Sequence, residues 1–150
     1  MPTKVIRHPE HVEALAILIR NRKLPVTVHW TQGAPRTSAQ NRLAQRWFAD
    51  IATQLGDQTH AEVRAECKLT IGVPILRAES EVFRLSYDRV FKHLTYEEKL
   101  AAIQEFDLPV TRRMTVKQMS AFMDEMQRKF SAQGVRLTDP EALKYEEEFQ

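Results

Sequence analysis

The residues of this chain best suited to chemistry are arginines and amides gathered over Arg36-Thr-Ser-Ala-Gln-Asn-Arg-Leu-Ala-Gln-Arg46, and the chemistry is anion binding. Arg42 and Arg46 stand four apart, which makes them neighbours on a helix. Arg36, Gln40 and Asn41 fall at the start of that helix, where unpaired amide donors and a partial positive charge are on offer. Guanidiniums and amides added there suit phosphate. The bland alternative is a solvated polar face on an amphipathic helix. Solvated faces usually mix signs, and this stretch does not. Between Glu13 and Asp50 there is no Asp or Glu, yet Arg20, Arg22, Lys23, Arg36, Arg42 and Arg46 all occur there. Arg112, Arg113 and Lys117 form a second basic cluster at the start of another expected helix.

Other chemistry is poorly supported. His8 and His11 are three apart and could share a metal, but no third ligand has a recognisable spacing. His60 and Cys67 are seven apart, about two helical turns, too far for a direct hydrogen bond. Cys67 reads instead as a small buried apolar residue. A metal-dependent nuclease needs carboxylates or histidines around Mg²⁺, and choosing His60 with Glu62 or Asp88 has no motive in the spacing. There is no P-loop, Rossmann glycine pattern, zinc-cysteine pairing or Gly-x-Ser-x-Gly. Four glycines in all argue against a phosphate-cradling loop. No catalytic residue, metal or cofactor is expected.

The elements that must hold the basic residues follow from periodicity. Leu43, Trp47, Ile51 and Leu55 recur every four residues, with Ala44 and Phe48 beside them, and predict a helix of about five turns. Thr37 and Gln40 have capping-box spacing at its start, and Gly56-Asp57 stops it. Before it, Pro25-Val-Thr-Val-His-Trp-Thr31 alternates and predicts a strand. Val5 and Ile6 predict a short strand over Thr3–Arg7, paired with Val26–Thr31. Between them, Pro9 opens a helix through Val12, Leu15, Ala16 and Ile19 that ends near Arg22 or Lys23. The fold class expected is therefore α+β, a small N-terminal β-ribbon packed with a mainly helical remainder. Trp30 offers a stacking platform for a base, although burial is the ordinary fate of a tryptophan.

Further boxes begin at Thr59, Thr95 and Thr115, with Glu62, Glu98 and Gln118 three residues on. Glu79–Leu94 reads as one helix, and Ile71-Gly-Val-Pro-Ile-Leu76 as a loop or extended piece broken by Gly72 and Pro74. The helix after Thr115 carries Val116, Met119, Phe122, Met123, Met126 and Phe130 on one stripe and ends at Gly134. That stripe is either core or a dimer seam, since methionine suits loosely specified surfaces. Leu137-Thr-Asp-Pro140 reads as a turn before an acidic tail, residues 141–150.

At 150 residues a single domain is expected, burying roughly 70% of its unfolded surface. No run of about 18 apolar residues suggests a membrane span, and Ala14–Ile19 follows acidic residues and lacks a cleavage site. One cysteine rules out an internal disulfide and suits a reducing, cytoplasmic compartment. The net charge of +2 conceals a basic N-terminal third and an acidic tail, an asymmetry that fits a polyanionic partner.

Arg36-Thr-Ser-Ala-Gln-Asn-Arg and Val110-Thr-Arg-Arg-Met-Thr-Val-Lys-Gln-Met resemble the NinB family of phage recombination proteins. That pattern has a strand, then Arg-Ser/Thr-x-x-Gln-Asn, then a helix. Later come a Met-Thr/Arg-Val helix start, a long helix and a Gly-Val-x-Leu/Trp turn. These read here as Val26–Trp30, Arg36–Asn41, Met114–Val116 and Gly134–Leu137, over roughly residues 25 to 140. Lys68–Leu76 has no place in the pattern. The resemblance implies a homodimeric recombination mediator, not an enzyme, that binds single-stranded DNA and helps load a recombinase against the host single-strand-binding protein. Arg36, Gln40 and Asn41 carry over from the motif. Arg42, Arg46, Arg112, Arg113 and Lys117 join them on electrostatic grounds. Gln40 and Asn41 also admit a structural role, bonding the Gln32–Pro35 turn. A protein–protein adaptor using the Met-rich helix, and a small phage nuclease, are the alternatives.

Overall fold

Four of the described helices start on threonine or serine caps, at Thr59, Ser80, Thr95 and Thr115. The computed structural model describes residues 4–30 and 38–148, and the chain divides into two units, Met1–Ala34 and Pro35–Gln150.

In the first unit, Pro9 opens α1 (Pro9–Arg20), whose last turn is closed by the Asn21 amide on the Ile17 carbonyl and the Arg22 amide on the Ile19 carbonyl. No residue of α1 is buried. The expected β-ribbon is absent: no strand occurs among the described residues, and Val26–Trp30 runs without regular structure. An alternating segment becomes a strand only where a neighbouring ladder pairs its amides and one face is covered. Here Val26 and Val28 are exposed, and Trp30 is 85% exposed. The fold is all-helical where described, not α+β.

The second unit strings together α2 (Ser38–Leu55), α3 (His60–Cys67), a π-helical turn (Lys68–Gly72) and α4 (Val73–Glu79). Then follow α5 (Glu81–Val90), α6 (Tyr96–Phe106), a 3₁₀ turn (Thr111–Arg113), α7 (Val116–Ser131) and α8 (Pro140–Glu148). Thr59, Thr95 and Thr115 each complete a reciprocal capping box with Glu62, Glu98 and Gln118. Gly56 and Gly134 take positive φ after α2 and α7, and the Val135 amide reaches back to the Phe130 carbonyl at 3.0 Å, the six-to-one bond of a Schellman end.

Two segments differ from their sequence reading. Ile71–Leu76 is helical rather than a loop. Pro74 falls in the first turn of α4, where its missing N–H costs nothing. Gly72 is buried because a Cβ there would come within 2.7 Å of Val110 Cγ1. The expected helix Glu79–Leu94 is interrupted at Ser80, which turns extended and caps α5 through its hydroxyl on the Phe83 amide.

Trp47, Phe48 and Ile51 of α2 meet Val63 and Cys67 of α3 and the α7 stripe of Met119, Phe122, Met126 and Phe130 in one buried cluster. Phe48 and Phe122 pack edge to face at 6.4 Å between ring centroids. The methionine stripe is thus core, and neither a dimer seam nor an adaptor's docking face. Asp50 anchors the chain that enters α8: its Oδ2 accepts from the Thr138 amide at 2.8 Å and the Thr138 hydroxyl at 2.7 Å. Trp47 Nε1 donates to the Thr138 carbonyl at 2.7 Å, so this tryptophan is committed to the fold.

Candidate anion-binding surfaces

The amphipathic pattern of α2 buries Ala44, Trp47, Phe48 and Ile51, and this leaves Arg42 exposed and Arg46 half-exposed. The first turn of α2 has no acidic residue, so nothing in it offsets the positive end of the helix. Gln40 Nε2 donates to Ser120 Oγ at 3.0 Å and to the Val116 carbonyl at 3.4 Å. These bonds set the starts of α2 and α7 side by side, and Lys117 is exposed in the first turn of α7. The side chains of Lys117 and the half-buried Asn41 make no hydrogen bond or ion pair among the described residues. Arg36 and the Gln32–Pro35 turn lie outside the described residues, as does Thr37 of the expected capping box.

The remaining sequence-predicted residues divide. Arg46 is engaged by acids: its Nε lies 3.4 Å from Asp50 Oδ1 and its Nη1 3.1 Å from Glu146 Oε2 on α8. Arg112 donates to the Asp107 carbonyl at 3.0 Å and to its carboxylate at 3.1 Å. Arg113 is exposed and lines an apolar cleft of about 210 Å³ with Phe83, Tyr87, Phe91 and Ile103. Gln40 therefore faces α7, Arg42 and Arg46 follow it on the other side of α2, and Arg112 and Arg113 serve other surroundings.

Two cations escaped the sequence reading. Arg64 of α3 and Lys68, first residue of the π turn, are four apart. Lys68 is only 2% exposed, and its Nζ lies 3.7 Å from Asp107 Oδ1. Burial pushes the Lys68 amine below the ordinary lysine value. The Arg64 charge adds to that, and Asp107 opposes it. The signal available was a lysine between Cys67 and Leu69, at helical spacing from Arg64.

The groups weighed for catalysis in the sequence have these surroundings. Burial pushes the Cys67 thiol up to about 12. His60 stacks edge-on to Phe48 at 5.9 Å, with Nε2 3.2 Å from the Gln45 carbonyl. Glu62 is spent on its capping box. Asp88 is held by Arg77 through two bonds of 2.9 and 2.8 Å. His8 and His11 touch edge to face at 5.1 Å, and no group of three His, Cys, Asp or Glu residues placed to hold a metal occurs among the described residues. No described helix is long and apolar enough to cross a membrane. Compared with family models, with curated proteins and with solved structures, the chain matches none.

Proposed function

We propose that this chain binds single-stranded DNA without sequence specificity and acts as a recombination mediator, a non-enzymatic homodimer that assists recombinase loading in the cytoplasm. The observation that carries the reading is the edge formed by α2 and α7. Arg42 and Arg46 stand on α2 and Lys117 in the first turn of α7, Gln40 joins the two helix starts, and no acid lies in the first turn of either helix. Such an edge suits a phosphodiester backbone, which is contacted by charge and read without sequence. In the first unit, taken by itself, Trp30 is 85% exposed, a flat apolar face of the kind on which an unpaired base stacks. The resemblance of Arg36–Arg42 to the NinB motif points the same way. The homodimer is supported by the first unit, where Val12, Ile17, Leu18, Leu24 and Val28 are exposed, since clustered exposed apolar side chains mark interaction surfaces.

The test is fluorescence anisotropy with one labelled oligonucleotide, single-stranded and duplexed, across a salt series. Tighter binding to the single strand is expected, with a log–log salt slope near −0.7 per neutralised phosphate. Replacing Arg36, Arg42 and Arg46 together with alanine should lower affinity about tenfold or more and flatten that slope. Unchanged affinity in the triple variant overturns the assignment of the edge. Sustained cleavage of labelled DNA by the pure protein with Mg²⁺ overturns the non-enzymatic reading.

A further inference from the structure

Lys68 and Arg112 meet at a single carboxylate, Asp107, and Arg64 lies near Lys68. Lys68 Nζ and Arg112 Nη2 approach its two oxygens at 3.7 and 3.1 Å. Arg64 is close enough to Lys68 for its charge to act there, yet its Nε is buried with no hydrogen-bond partner. Arg64 is also without an ion pair among the described residues. Two cations therefore share one anion, and beside them a third cation has a buried donor left over. Burying a charge or a donor without a partner is costly, so the arrangement is short of one anion.

We propose that this cluster is a phosphate-binding site, separate from the α2 edge, in which a phosphate monoester or phosphodiester bridges Arg64, Lys68 and Arg112. Guanidinium groups bind phosphate oxygens with paired N–H donors, and an ammonium adds a compact charge. Asp107 is the movable part. It ends α6 in the left-handed conformation, φ 48°, and its side chain is 61% exposed, so the carboxylate can turn to water when a phosphate takes its place. Lys68 stands where α3 widens into the π turn, a distortion found often at functional sites.

The test uses the intact protein, with inorganic phosphate against chloride at equal ionic strength, read by thermal unfolding and titration. A ligand that binds only the folded state raises the melting temperature. Phosphate should do so for the natural chain. Arg64→Gln should weaken phosphate binding about tenfold, the ordinary worth of a hydrogen bond to a charged group, and Lys68→Met should abolish it. No phosphate effect beyond ionic strength, or equal responses in both variants and the natural chain, overturns the site. Because Arg64→Gln leaves the buried lysine in place, a folding defect in Lys68→Met does not blur the result. An oligonucleotide titration of the same variants separates the sources. A matching loss of affinity assigns a nucleic-acid phosphodiester, and an unchanged affinity assigns a free phosphate or nucleotide. Phosphate binding by a chain that binds no DNA would sink the mediator reading and keep this site.

Discussion

Lys68 is a cation almost without access to water, held by an exposed carboxylate and pressed by a neighbouring arginine. Replacing such a residue with an apolar one of similar volume is often neutral or stabilising, so Lys68→Met is expected to change stability by between zero and about +2 kcal/mol. The pH dependence has a defined sign. The amine's folded value lies below 10.5, so between that value and 10.5 the unfolded chain binds more protons, and stability rises with pH there. The advantage of Lys68→Met over the natural chain should be full below the folded value and should shrink as pH climbs toward 10.5. Paired chemical-denaturation curves measure that difference. Cys67 obeys the opposite sign. With its thiol raised from 9.0 to about 12, the unfolded chain ionises first, and stability falls above about pH 9. A thiol reagent at pH 8 should therefore label Cys67 only as fast as the chain opens, since the thiolate is the nucleophile. Rapid stoichiometric labelling of the folded protein would contradict the burial.

At the scale of elements, Gly72 joins the π turn to α4 where a Cβ would press within 2.7 Å of Val110 Cγ1. Gly72→Ala is expected to cost about 1–3 kcal/mol by overpacking, seen as a lower urea midpoint at constant slope. Thr95→Ala, which strips a capping box on an exposed helix start, should cost about 1 kcal/mol. These cases mark what the sequence could reveal. Capping boxes are local, four residues long and chemically explicit, so the starts of α3, α6 and α7 were legible at Thr59, Thr95 and Thr115. Gly and Pro are ambiguous by comparison. Gly72 and Pro74 look like breakers in sequence, but one is a packing requirement imposed from 38 residues away and the other sits harmlessly in a first turn. The Val26–Trp30 strand failed for a related reason. Alternation says which face each residue takes, but a strand also needs a partner, and that is non-local information. Within the candidate sites, Gln40 and Lys117 were legible as polar residues at helix starts. Arg64 and Lys68 had the four-residue spacing of helical neighbours to show them, but Arg112 had no such signal, because Asp107 links it to Lys68 from a separate element.

Across the whole molecule, the balance of charge is set by where the acidic tail lies. α8 carries four carboxylates and Lys144 as its only cation, and one of those carboxylates, Glu146, reaches Arg46 on the proposed DNA edge. The helix is lightly held: Leu143 is half-buried, while Glu141, Lys144, Tyr145 and Glu146 are exposed. The firm attachment precedes it, at Thr138 between Asp50 and Trp47. An exposed ion pair of this kind is worth about 0–1 kcal/mol and is screened by salt, so a phosphate can displace it at small cost. Ending the chain after Asp139 keeps the Thr138 anchor and removes the competitor. Oligonucleotide affinity should then rise about three- to tenfold at low salt, because Arg46 is released and local negative charge is lost. Glu146→Gln alone should give the smaller part of that gain. Both effects should fade near 0.3 M salt, where screening acts within a few ångströms. An affinity untouched by either change at low salt would mean that Arg46 takes no part in binding the strand, and the α2 edge would then rest on Arg42 and Lys117.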